Sequence, residues 1–138
     1  MRPEAVFYQP RLVPLPRRMA TRLAVGAARL LATQSPRRIR GVLGWLRRGA
    51  KPATFEQAKR ARDDVVAVSL HCAAREGCVA RSLATVLLCR LRGQFPTWCV
   101  GARRLPPFAA HAWVEADGVM VGEDEYPPDY FRPLFTVP

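Results

Sequence analysis

The segment "AAHAWVEADGVMVGEDE", residues 109–125, constrains the fold more than any other stretch of the chain. His111, Trp113 and Glu115 alternate with Ala112, Val114 and Ala116, the period of a strand with two different faces. Asp117-Gly118 then supplies a two-residue hairpin turn, and "VMVG" reads as the returning strand. A two-residue turn fixes the register. It places Ala116 opposite Val119 and, continued regularly, His111 opposite Asp124 on the same face. A bulge near Gly122 would put Glu123 there instead.

The rest of the chain reads mainly as helix. Residues 1–16 hold four prolines and are extended or irregular. Arg17–Thr33 is alanine- and leucine-rich and ends at Ser35-Pro36. Arg37–Arg48 carries an apolar stripe of Ile39, Val42, Leu43 and Leu46, with arginines elsewhere. "GAKPAT" reads as a linker, and Thr54 with Gln57 forms a capping box. The helix it opens is expected to carry Ala58, Ala61, Val65, Val68 and Cys72 on one face. A second helix follows Gly77, with Val79, Leu83, Val86, Leu87 and Leu91 as its apolar face and Gly93 at its end. "TWCVGA" is a short strand before the hairpin. Helices first and a small antiparallel sheet afterwards make an α+β fold.

Composition narrows the class. The 138 residues suffice for one compact domain, and 49% hydrophobic content argues for a folded chain. No apolar run approaches the roughly 20 residues of a membrane-spanning helix, and the N-terminus lacks a secretory pattern. The four cysteines contain no CxxC spacing, which argues against structural zinc; they are expected to be reduced thiols in a cytoplasmic protein. The net charge of +11 sits in residues 1–51, which hold twelve Lys/Arg against one acid. Such asymmetry suits an acidic partner.

Cys78 stands out among the thiols. It opens a helix, where free N–H groups and the helix dipole stabilise a thiolate. His111 on a strand and a carboxylate on the next strand, Asp124 or Glu123, would complete a nucleophilic acyl-transfer arrangement. The backbone N–H of Cys78 is a candidate oxyanion donor. Trp113 shares the face of His111 and serves either as a shield or as an ordinary core aromatic. Arg81, one turn after Cys78, has no role assignable from sequence.

"CVARSLATVLLCRLRG" followed by "FAAHAWVEADGVMVGE" resembles the transglutaminase-like, papain-related cysteine proteases and, more narrowly, the leader peptidases of lasso-peptide biosynthesis. The shared features are a C-x-x-R-S-L-A pattern and an A-H-A-W-V-E strand leading into a D-G turn, over roughly residues 57–126. Val79 departs from the leucine usual after the cysteine. The resemblance implies that Cys78 is the nucleophile, His111 the general base and acid, and Asp124 or Glu123 the orienting carboxylate, with no cofactor. It implies residues 52–138 as the protease core, behind a basic helical segment at 1–51. It further implies removal of the leader from a ribosomally made precursor, before an ATP-dependent cyclase closes the macrolactam. Residues 1–51 lack the strand pattern of a leader-binding domain, so the implied partners are the precursor leader, a separate leader-binding protein and the cyclase. Two other readings compete: a transglutaminase or amide ligase using the same residues, and a basic protein binding nucleic acid or a membrane surface.

Overall fold

The computed structural model describes residues 13–74, 77–106, 109–123 and 130–138. Helix α1 spans Leu15–Leu31 and α2 spans Pro36–Leu46. Ser35 caps α2 by accepting from Arg38 N–H, and Pro36 occupies the first turn, where its missing donor costs nothing. Helix α3, Phe55–Val68, begins at the expected capping box, both halves of which are formed. Thr54 Oγ1 accepts from Gln57 N–H at 3.2 Å, and Gln57 Oε1 accepts from Thr54 N–H at 2.9 Å.

Two helical expectations need correction. The α3 helix stops at Val68, because Ser69 adopts an extended conformation and caps a separate short helix, α4, Leu70–Ala73. Cys72 therefore sits on α4 and reaches the core from there. Helix α5, Cys78–Leu91, is not a one-sided amphipathic helix. Nine of its residues from Ala80 to Cys89 are buried, Leu88 among them, while Leu91 is 64% exposed. A helix apolar on most sides is a central element. α1 and α3 pack along α5, and the sheet closes another side of it.

The main sheet is antiparallel in the order β5-β4-β3-β6. Its strands are β3 (Thr97–Arg103), β4 (Ala110–Ala116), β5 (Val119–Met120) and β6 (Phe131–Val137). A separate parallel pair joins β1 (Lys51–Pro52), inside the stretch read as a linker, to β2 (Gln94–Phe95). The hairpin turn is formed as expected. Asp117 and Gly118 both have positive φ, and Ala116 pairs with Val119 and Glu115 with Met120. Asp117 also accepts from Phe55 N–H at 2.9 Å, which ties the hairpin tip to the start of α3. Ala112, Val114 and Ala116 face the main core, and Trp98 donates to Ser82 Oγ of α5 at 2.9 Å. Trp113 lies in a second cluster with Cys99 and Phe131.

Strand β6 was not anticipated. A register shift opposite Val100 and Gly101 leaves Leu134 as an extra residue, so alternation breaks inside the strand, and Pro133 obscures it further. Asp64, fully buried, joins three elements by accepting from Arg17 at 2.7 Å and from Arg92 at 3.0 Å. Among the described residues no helix is long and apolar enough to cross a membrane.

Candidate active site

Cys78 is the first residue of α5, where no backbone carbonyl of the helix can accept its N–H. Gly77 precedes it for a steric reason. A Cβ there would lie 2.0 Å from the carbonyl oxygen of His71, so only glycine lets the chain run this close to α4. Arg81, buried one turn into α5, donates to the carbonyls of Cys72 at 2.9 Å and Ala74 at 3.0 Å. The guanidinium thus ties α4 to α5 and adds positive charge beneath the thiol.

β4 brings His111 to Cys78. The thiol hydrogen-bonds the His111 side chain and accepts from the backbone N–H of Ala112. His111 Nε2 bonds Glu123 Oε1, which leaves Nδ1 as the ring nitrogen facing the thiol. Glu123 is buried, and its second oxygen accepts from Arg62 of α3 at 3.1 Å. Regular hairpin pairing persists through Val121, whose N–H donates to Val114 O at 2.9 Å. Gly122 then takes φ +73°, and the carboxylate brought onto the imidazole is that of the next residue, Glu123. Asp124, the residue regular pairing would place there, lies outside the described residues.

Two further side chains hold the imidazole. Phe131 of β6 stacks on His111 with ring centroids 4.5 Å apart, and Trp113 stacks at 5.9 Å while donating to Glu115 at 2.9 Å. The aromatic face dries the imidazole and limits its rotation. Sequence reading missed Phe131 because β6 itself was missed. It missed Arg62 because "KRARDD" looks like a solvated charge run.

Electrostatics separate the four thiols. Burial pushes Cys89 and Cys99 up to about 12 and raises Cys72. Burial pushes Cys78 up as well. The hydrogen bonds from His111 and Ala112, with the charges of His111 and Arg81, outweigh it, so its pKa falls below the usual 9.0. His111 shows the complementary shift. Burial alone would lower it, but hydrogen bonds to Cys78 and Glu123 and their negative charges raise it from 6.5 to about 9. These opposed shifts favour a thiolate beside an imidazolium at neutral pH. Among the described residues no cluster of three or more His, Cys, Asp or Glu could hold a metal ion.

Such a site can add a thiolate to a carbonyl carbon and deliver a proton to the departing group. No curated protein and no solved structure matched the chain. The transglutaminase-like superfamily does match, over residues 21–136, a span that runs from within α1 to within β6 and includes Cys78, His111 and Glu123. Most of the chain lies inside that match, and the protein belongs to the transglutaminase-like superfamily.

Proposed function

We propose that this protein is a cysteine peptidase that removes the leader from a ribosomally made precursor of the lasso-peptide type, together with a separate leader-binding protein. The observation that carries the acyl-transfer chemistry is the thiol of Cys78, lowered in pKa and hydrogen-bonded to a His111 that Glu123 orients. The leader as substrate rests on the resemblance of "CVARSLA" and "AHAWVEADG" to the leader peptidases.

In this reading the Cys78 thiolate attacks the scissile carbonyl carbon, and the C–O π bond becomes an oxyanion. The backbone N–H of Cys78 stabilises that oxygen. Collapse breaks the C–N bond, and the His111 imidazolium gives its proton to the leaving amine. The product is a thioester on Cys78. His111, now neutral, takes a proton from water as the water oxygen adds to the thioester. Collapse releases the leader carboxylate, and the thiolate–imidazolium pair is restored. Glu123 keeps Nε2 protonated and Nδ1 directed at the sulfur.

The test is incubation of the protein with a precursor peptide and its leader-binding protein, followed by mass spectrometry. Two fragments whose masses sum to the precursor plus one water support the reading, provided Cys78→Ala yields none. Family membership favours a second reading, in which an amine rather than water takes the acyl group. A product carrying an added amine in place of water would establish that alternative.

A further inference from the structure

The basic N-terminal third carries an excess of charge that the proposed chemistry does not use. Its arginines are not spread evenly. Arg37 and Arg40 of α2 and Arg47, which follows it, line one side of a groove of about 490 Å³, whose other side is the Phe135–Val137 end of β6. Gly41 and Gly44 lie on the same wall, and a Cβ on either would meet nothing within 4 Å. The groove is therefore open where side chains would otherwise fill it. A second hollow of about 460 Å³ continues from Arg47 past Arg48. Pro138 lines both, and no Asp or Glu side chain lines either one among the described residues.

The walls are fixed. Ile39 and Leu43 anchor α2 in the core. Arg90 of α5 donates to the carbonyl of Leu46 at 2.6 Å and of Arg48 at 3.3 Å, holding the end of α2. The Arg40 guanidinium lies 4.9 Å above the Phe135 ring, so the groove floor is built from both elements. β6 is the outer strand of the described sheet, with β3 as its one partner there.

We propose that this groove binds an acidic, extended segment of the substrate peptide, laid along the outer edge of β6 with its carboxylates toward α2. The proposal deepens the peptidase reading and rests on it for the identity of the peptide. Length agrees. Ten residues separate Arg37 from Arg47, about 15 Å along a helix, which four or five residues of extended chain would span. Every second side chain of such a segment faces the same way, so acids at alternate positions meet the arginines. The sheet edge offers the backbone hydrogen bonds of strand addition, which suits a peptide and not a polynucleotide.

Fluorescence anisotropy with a labelled seven-residue peptide alternating glutamate and threonine tests this, beside its glutamine analogue and a single-stranded oligonucleotide of similar charge. The acidic peptide should bind, and binding should weaken as salt rises. The triple reversal R37E/R40E/R47E should weaken it at least about tenfold, from the loss of steering and pairing charges. Gly41→Leu with Gly44→Leu, which fills the groove and keeps every arginine, should weaken it similarly. Both variants should retain acylation of Cys78 by a small activated ester. Equal binding by the leucine variant, equal binding of the glutamine peptide, or tighter binding of the oligonucleotide would overturn the proposal. Groove-dependent peptide binding without acylation of wild-type Cys78 would instead uphold the groove and remove the peptidase reading.

Discussion

Replacing Gly122 by alanine perturbs the carboxylate that faces His111 without touching either charged group. Gly122 has φ +73°, a conformation that costs an L-residue about 1 kcal/mol. The added Cβ would also lie 2.5 Å from Arg62 Cζ and Nε and 2.6 Å from Cδ, too close for any of them to remain. Arg62 must then leave a buried pair in which its side chain is 9% exposed and that of Glu123 2%. Loss of a charge-assisted bond of this kind costs about 2 kcal/mol, so the total is about 3 kcal/mol. Urea denaturation of the four members of a Gly122→Ala, Arg62→Ala cycle measures it. Once Arg62 is truncated, the clash is gone, and the alanine should cost only the backbone share of about 1 kcal/mol. Turnover by Gly122→Ala should fall at least about tenfold, because Glu123 loses one of its two anchors. Strict additivity of the two substitutions, or a Gly122→Ala cost within about 0.5 kcal/mol of zero, would refute the argument that this glycine makes room for Arg62.

Three other outcomes follow from the site. Cys78→Ala and Cys78→Ser should abolish cleavage, whereas Cys72→Ala, Cys89→Ala and Cys99→Ala should retain it in proportion to the folded protein recovered, as peptide mass spectrometry of the products will show. Glu123→Gln should lower turnover by about 10³-fold or more, the scale for loss of a tautomer-fixing carboxylate, while Asp124→Asn should have the smaller effect in parallel kinetics. The raised pKa of His111 predicts a pH-dependent contribution to stability. Its folded value of about 9 exceeds the ordinary 6.5, so the contribution is fully present below about pH 6.5 and is lost as pH rises through about 9. Denaturation midpoints of wild type against His111→Gln across that range should converge at the alkaline end.

Local chemistry made parts of the fold legible. The capping box at Thr54, the glycine after α5 and the Asp117-Gly118 turn are signals written into adjacent residues, and each is formed. Cys78 and His111 could be singled out because one opens a helix and the other lies on a strand of fixed alternation, and the structure brings them together. What stayed hidden depends on distant partners. Gly122 marks a possible bulge in the sequence, but the reach of Glu123 to His111 depends on where α3 places Arg62. β6 hides behind its own bulge at Leu134, and with it Phe131, the ring against His111. The all-round burial of α5 was masked by small residues such as Ala80, Ser82, Ala84 and Thr85, which fall outside the stripe of larger apolar side chains and yet are buried.

The chemistry proposed for this site requires that His111 hold Cys78 as a thiolate. The rate of alkylation by iodoacetamide, followed at each cysteine by peptide mass spectrometry from acid to alkaline pH, tests it without any substrate. Cys78 should react well before Cys72, Cys89 and Cys99, with a midpoint below 9.0 that moves upward in His111→Ala. A Cys78 midpoint at or above 9.0, or one unchanged by His111→Ala, would contradict it.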